Sequence, residues 1–548
     1  MAQTERCSEP YFISDRRKTM PTLDWIGKDK VINHHLDVPY RVLERQYSFG
    51  ADGQQSEDNG SDNMIIHGDN LEALKALLPQ YEGRIKCIYI DPPYNTGNST
   101  DKNKSWVYSD NVDDPRIRNW LGKVVGSESE DLSRHDKWLC MMYPRLKLLH
   151  RLLAEDGFIF VSIDVFEFAN LRFLLDDIFG TNNFRNCIAV RRGIKNVQAQ
   201  FEKVQALSLG HEYIYLYSKS PDAKLPKLSK DFEIEKAGKW DTFWRGTDRP
   251  TMRYEIFGEK PETGQWRWEI GRATKAAKNY EYYLENYSST MSIDDFFIEH
   301  LMATNEKLDF VRKNENGTVQ YYVPPQTGKL LSDNWMDILL SGSFAGFDTE
   351  KNVQILERIV EWITDKDSII LDSFAGSGTT AHAVLNINKA DGGNRKFILI
   401  EMMDYADSIT AERVKRVIHG YGDGKKAVEG TGGDFSYYEL GDKLLEGEYL
   451  NESVSVDNIR TYVYFTETKQ KTTSNPEEPY QVGVHLDTAY YFYYEREAVT
   501  TLDRAFLHTV KTKANAYVIY ADRCILSDEE LEKYHITFKK IPRDITRL

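Results

Sequence analysis

The sequence predicts an α/β protein whose mostly parallel sheet is assembled from both ends of the chain. Three observations carry this. Near-continuous apolar runs of strand length alternate with amphipathic runs of helical spacing, as a parallel sheet covered on both faces requires. The alternation stops near residue 220 and resumes near residue 345, around a stretch rich in Trp, Tyr, Arg, Gly and Pro. With 548 residues the chain exceeds one ordinary core and implies about two to four domains.

Residues 1–20 and 51–62 read as flexible segments. "MIIHGDN" from Met64 is a short strand ending in Gly-Asp-Asn, and "LEALKALLPQY" has helical spacing predicted to stop at Pro79. "IKCIYI" (85–90) is the next strand. "RHDKWLCMMYPRLKLLHRLLAEDG" is a long amphipathic helix predicted to end in a Gly turn. "FIFVSID" is a strand, "VFEFANLRFLLDDIFG" a helix and "HEYIYLYSK" a strand. After the break, "TEKNVQILERIVEWI" is a helix, "SIILDSFAGSGTTAHAVL" a strand, Gly loop and helix, "KFILIEM" a strand and "ADSITAERVKRVIHG" a helix. From Gly424, Tyr-rich runs ("YVYF", "YYFYY", "AYVIYA") read as β and suggest a separate appendage. The expected divisions are 1–60, 61–220, 221–345, 346–423 and 424–548.

Hydrophobic content of 41% and charged content of 28% fit a globular chain, and no apolar run reaches membrane-spanning length. The N-terminal "MAQTERCSEPYFISDRRK" lacks the apolar core of a secretory signal, so a cytoplasmic protein is expected. The five cysteines are scattered without a CxxC pair. They read as reduced core residues, and no metal site is expected. A net charge of −15 argues against non-specific coating of nucleic acid, but it leaves room for a local basic cleft. Lone His67, His135 and His211 form no ligand cluster, and Ser377 lacks the GxSxG context of a nucleophile.

Two constellations carry chemistry. "DSFAGSGTT" (372–380) follows a strand and opens a helix, the setting of a nucleotide-binding Gly loop. It is neither GxGxxG nor a P-loop, so a ligand with a ribose and no phosphate fits better. Glu401, at the end of the next strand, stands where an acid can grip ribose hydroxyls. "IDPPYNTG" ends a strand in a stiff corner. Pro92 and Pro93 fix φ and donate no N–H, so local carbonyls are left to accept. The Asp91 carboxylate and the Pro92 carbonyl can hold both hydrogens of an exocyclic amine, freeing its lone pair to attack a methyl group. Tyr94 can stack on the base, which must leave its duplex to arrive there.

Together "DPPYNTG" and "DSFAGSGTT" resemble the S-adenosylmethionine-dependent DNA amino-methyltransferases in their permuted, β-class order, over roughly residues 60–220 and 345–420. The resemblance implies a Rossmann-like methyltransferase sheet with an inserted target-recognition domain. "LDWIGKDKVINHH", "VYSDN" and the extra C-terminal region resemble the modification subunits of type III restriction systems. By that likeness Asp91, Pro92, Pro93 and Tyr94 are catalytic. Asp372, Phe374, Gly376, Gly378 and Thr379 form the cofactor loop, Glu401 binds ribose and Asp69 holds the adenine amine. Lys351 begins the segment over the methionine end, although Lys-Asn stands where the family usually has Lys-Pro. Asp at the head of DPPY favours adenine N6. Cytosine N4, an RNA amine, and a recognition subunit that delivers a nuclease stand as alternatives. The implied partners are double-stranded DNA, a restriction helicase–nuclease subunit and a second copy of the chain.

The insert interleaves Arg245, Arg249, Arg253, Arg267 and Arg272 with Trp240, Trp244, Tyr254, Trp266 and Trp268, and "RRGIKN" adds Arg191, Arg192 and Lys195. Arginine can bind phosphate or read guanine, and aromatic rings can stack on bases. The competing reading is that these rings form the insert's own small core.

Overall fold

The computed structural model describes residues 23–96, 115–125, 133–193, 207–304, 306–342, 344, 350–470, 472–473 and 475–543. The chain divides into two compact units, one formed by 1–226 with 333–548 and the other by Lys227–Ser332.

The first unit is organised by an eleven-stranded sheet. In chain order its strands are β1 (Arg41–Gly50), β2 (Gly53–Gln55), β3 (Met64–His67), β4 (Ile85–Ile90), β5 (Leu153–Ile163), β6 (Phe184–Arg191), β7 (His211–Ser218), β8 (Asn334–Leu339), β9 (Ile369–Asp372), β10 (Lys396–Glu401) and β11 (Phe435–Lys443). Their order across the sheet is β8-β6-β7-β5-β4-β9-β10-β3-β11-β1-β2. The centre, from β5 to β11, is parallel. β7 runs antiparallel to both its neighbours, as does β1. The contact between β4 and β9 joins the two halves of the chain, with Ile370 opposite Cys87 and Leu371 opposite Ile88.

Local chemistry explains the helices that flank it. Asp69 caps Asn70–Tyr81 by accepting from the N–H groups of Leu71 and Glu72. Ser133 and Asp136 form a capping box at the start of Arg134–Leu152. Asn352 caps Val353–Ile363, whose Ile355, Leu356, Ile359, Val360 and Ile363 make one buried stripe. Helix Asn70–Tyr81, helix Arg134–Leu152 and strands β3 to β5 share one core cluster.

Several expectations are corrected. The helix passes Pro79 to Tyr81, because the lost N–H removes one bond while the Glu82 N–H still reaches the Leu78 carbonyl and Tyr81 is buried. Helix Arg134–Leu152 does not wait for Gly157 to end. Leu153 is buried and pairs with Ile85, so strand follows helix directly. Part of the segment 51–62 is strand β2, folded back on β1. "YVYF" lies in a helix, Val456–Thr468, capped by Ser455 and burying Ile459, Val463, Tyr464 and Phe465; tertiary packing overrides β propensity.

Two expected divisions also shift. β1 and β11 lie side by side in the central sheet, so residues before 61 and after 424 complete it. Beyond β11, a four-stranded sheet (Gln481–His485, Thr488–Phe492, Ala516–Ala521, Ile536–Lys540) packs on its own two apolar clusters.

In the second unit, strands Lys239–Thr242, Val319–Val323 and Val311–Lys313 form a small sheet with helices Ile270–Asn286 and Ile293–Thr304. Phe243, Trp266 and Val311 anchor one of its cores, and Tyr283, Phe310 and Tyr322 the other.

Candidate active site

The carboxyl ends of four adjacent parallel strands bring the sequence motifs together. β4 delivers Asp91, β9 Asp372, β10 Glu401 and β3 the Gly68-Asp69 turn. Ligands of open α/β sheets bind at this edge, where strands from different parts of the chain meet.

The cofactor-side residues form a closely bonded cradle. Glu401 Oε2 accepts from the Gly376 N–H at 2.8 Å and Oε1 from the Met403 N–H at 3.0 Å. Asp372 accepts from the Phe374 N–H at 3.0 Å and from Thr380 Oγ1 at 2.6 Å. Burial raises both carboxyls to about 7 against the pull of these donors. The loop needs its glycines. Gly376 and Gly378 have φ of 50° and 79°, and a Cβ at Gly378 would lie 3.0 Å from the Thr410 carbonyl oxygen. Thr410 Oγ1 closes the loop by donating to the Gly376 carbonyl.

Sequence reasoning missed the cation that fixes this loop. Arg413, fully buried on helix Glu412–His419, donates from Nη1 to Ser377 Oγ (3.0 Å) and Thr379 Oγ1 (2.9 Å) and pairs with Glu350 Oε1 at 3.0 Å. Burial, with this charge beside it, drives the neighbouring His382 down to about 3. A second buried arginine, Arg145, donates to Asn70 Oδ1 and approaches Asp69 Oδ2 at 3.4 Å, while Asn70 Nδ2 donates to the Ser373 carbonyl. Asp69 is therefore held at the cradle as a helix cap. Ser373 Oγ is buried with no partner among the described residues, a polar group waiting for a ligand. Buried acceptors, positive-φ glycines and this hydroxyl suit the ribose-bearing part of S-adenosylmethionine.

The Asp91–Tyr94 corner is stiff. Pro92 and Pro93 are buried, and the Pro93 carbonyl is taken by the Trp138 indole N–H at 2.7 Å. Among the described residues no donor reaches the Pro92 carbonyl, which leaves it to accept. Asn95, at φ 56°, is buried and bonded to Glu167, locking the turn beyond Tyr94. Lys351 is not beside the cofactor loop's face alone, as its expected role at the methionine end would have it. Its Nζ donates to Tyr94 OH at 2.6 Å and lies 3.1 Å from Asp91 Oδ1 and 3.5 Å from Glu212 Oε2. Burial raises the Asp91 carboxyl, and Lys351 partly offsets this. Glu212 is a further residue that sequence reasoning missed. Its signal was an acid inside the apolar strand β7.

The expected DNA-contact residues separate into two groups. Arg253 donates to the carbonyls of Gly264 and Glu262 and pairs with Asp248. Arg267 donates to the Thr242 carbonyl and lies over Tyr321, and Arg272 grips Asp309 through two bonds while covering Trp268. These three arginines bond within their own unit, Arg272 from an exposed position, and Trp266 is core. Arg245, Arg249 and Trp244 are exposed. In the first unit Arg191 is exposed and Arg192 pairs with Glu212 at 3.4 Å. Lys195 and "VYSDN" lie outside the described residues.

A family profile for N6/N4 DNA methylases, described as DNA methylase, matches residues 85–412, from β4 with its DPPY corner to the start of the Arg413 helix. The chain belongs to the DNA methylase family. Among its relatives, this DNA methylase is 32% identical over 438 residues to the StyLTI Mod subunit, a type III restriction-modification enzyme of Salmonella typhimurium, covering 72% of the chain and 62% of that protein. It is 30% identical to the EcoPI Mod subunit of Escherichia phage P1, over 69% of the chain and 63% of that protein. It is 32% identical to the type II methyltransferase M.KpnI of Klebsiella pneumoniae, over 66% of the chain and 85% of that protein. The chain thus spans less than two thirds of the length of the type III relatives named here. Among solved structures it is similar to the PvuII DNA methyltransferase, a cytosine-N4-specific enzyme, at 13% identity and a TM-score of 0.33, over 64% of the chain and 86% of that one. No helix among the described residues is long and apolar enough to cross a membrane.

Proposed function

We propose that this DNA methylase transfers a methyl group from S-adenosylmethionine to adenine N6 of a flipped-out base in double-stranded DNA, as the modification subunit of a type III restriction system. The observation that carries the reading is the pairing of acceptors at one corner. The Asp91 carboxylate and the Pro92 carbonyl, which no donor among the described residues reaches, stand at the end of β4, on the strand beside that of Asp372.

When bound, the cofactor supplies an electrophilic methyl on a sulfonium. The chain's residues do the rest. Gly376, Gly378, Phe374, Thr379, Asp372 and Glu401 hold it by its ribose side, with Asp69 at the adenine side. Asp91 and Pro92 take the two N6 hydrogens and draw the nitrogen out of conjugation, and Tyr94 stacks on the ring. When the nitrogen takes up the methyl group, Asp91 would receive one N6 proton and pass it on to water. Positioning and electrostatics supply the acceleration, without a covalent intermediate.

The unit Lys227–Ser332 is the target-recognition domain in this reading, with Arg245, Arg249 and Trp244 as its contacts, and Arg191 adds an exposed basic group at the end of β6. The relatives named as Mod subunits of type III restriction-modification enzymes support a modification role beside a restriction partner, and the Asp at the head of DPPY supports adenine N6. The region beyond β11 would carry the contact with a second copy or with that partner. Incubation with methyl-labelled S-adenosylmethionine and unmethylated genomic DNA, followed by digestion to nucleosides, tests the reading. Label in N6-methyladenine is the expected result; label in N4-methylcytosine or in no base overturns it.

A further inference from the structure

Lys351 stands where the target amine has to go. Its ammonium lies 3.1 Å from Asp91 Oδ1 and donates to the Tyr94 hydroxyl at the outer edge of the ring. Hydrogens on the Asp91 carboxylate are the contact that the reading above gives to the adenine amine. The lysine is buried, so it cannot trade these partners for water. Among the described residues one other anion is in its reach. Glu212 Oε2 is 3.5 Å away, buried on β7 and held from its far side by Arg192.

We propose that Lys351 is a built-in stand-in for the target amine, holding Asp91 ionised and the corner formed in the free protein and withdrawing to Glu212 when the base enters. This rests on the function proposed above. The logic is electrostatic. A buried Asp91 without a cation would take up a proton and lose its power to accept from an amine. A buried lysine without a second carboxylate could leave Asp91 only at the cost of an unpaired charge. Glu212 removes that cost, so the exchange of lysine for base is close to balanced. Lys351 and Glu212 are then positioning residues.

The charged and titratable groups that face Asp91 are Lys351, Tyr94, Glu212, Tyr89 and Asp372. Lys351 favours its ionised form and Glu212 opposes it. The two substitutions therefore have opposite signs. Lys351→Met moves the acid limb of the methylation pH profile upward by about one unit or more. Glu212→Gln moves it downward, and tightens the hold of Lys351 on Asp91. A duplex with 2-aminopurine beside the target adenine, located by sequencing the methylated DNA, reads base entry by fluorescence as the adenine leaves the stack. Base entry increases in Lys351→Met and falls in Glu212→Gln, where the DNA KM rises.

A lysine that merely staples the loop to β7 gives loss in both variants with an unmoved pH profile, and that result overturns the proposal. Titration of 13C-carboxyl-labelled aspartate, with the Asp91 signal assigned by its absence in Asp91→Asn, reads the same opposed shifts without turnover. If the wild-type protein labels no base, the proposed reaction fails, and this titration decides alone on the lysine. Shifts of one sign, or none, refute it.

Discussion

Replacing Arg413 tests whether the Gly loop is held from behind. The guanidinium and Glu350 side chains are each 1% exposed, and Nη1 also serves Ser377 and Thr379. In Arg413→Met the Glu350 carboxylate stays buried, retaining the Phe344 N–H at 3.0 Å but losing its cation. Removing one partner of such a pair costs about 3–5 kcal/mol. Spread over the unfolding entropy of a unit this size, that is a fall of about 4 °C in apparent melting temperature. The loop hydroxyls lose their anchor together, so S-adenosylmethionine affinity falls at least about tenfold, or about 1.4 kcal/mol. Arg413→Met/Glu350→Gln removes both charges and recovers part of the stability, with a coupling of about 1–3 kcal/mol. Thermal denaturation and titration calorimetry read both quantities. If the single variant melts and binds like the wild type, the pair does not organise the loop and the reasoning fails. A double variant worse than the sum of the singles refutes the charge argument.

Gly378→Ala places a Cβ 3.0 Å from the Thr410 carbonyl oxygen at a φ of 79°. The left-handed conformation alone costs about 1–2 kcal/mol, so cofactor affinity in calorimetry falls roughly tenfold or more. Asp91→Ala abolishes methyl transfer to DNA yet keeps cofactor binding; residual transfer near wild type would end the case for the corner. Glu401 and Asp372 carry protons near neutrality because burial holds them at about 7. Ribose hydroxyls donating to Glu401 favour its ionised form, so binding releases protons at pH 7 and tightens as pH rises through 7. Calorimetry in two buffers of different ionisation enthalpy measures the release. Without ligand these raised carboxyls favour the folded state only below about pH 7, so their contribution to stability is lost as pH rises from about 4.5 through 7, and a pH series of melting curves checks the sign. Arg272→Ala, which breaks two bonds to Asp309, lowers the stability of the Lys227–Ser332 unit more than Arg245→Ala does, as limited proteolysis of the two variants would show.

What was legible in the sequence was local. A strand that stops at Asp91-Pro92-Pro93-Tyr94, and another that opens into Gly376 and Gly378, carry their own turn chemistry, so both halves of the site were identified before any pairing was known. What was hidden depended on partners far along the chain. Arg413 reads as one more cation on an amphipathic helix until Glu350 and Ser377 close on it. Glu212 gains meaning only when Lys351 arrives from the other half of the chain. The same limit explains β1 and β11, whose residues look like an extension and an appendage until they pair with each other. In the insert, composition announced arginine beside tryptophan but not which arginines the unit spends on itself. Arg272 and Arg267 cover rings and bond inward, while Arg245 and Arg249 face solvent.

The seam between β4 and β9 has a consequence for how the protein is made. At ribosomal rates of about 5–20 residues per second, β4 emerges roughly 15–60 s before β9 and β10 exist to cover its free edge. β5 protects the other edge early, but the nascent chain carries one open edge of a mostly apolar strand for roughly half of its synthesis. The Lys227–Ser332 unit is produced within that interval and can fold while the sheet waits. Holdase chaperones that bind extended apolar segments therefore have a defined client here, and fusing the chain to a shorter interval, by removing Lys227–Ser332, would relieve the need for them.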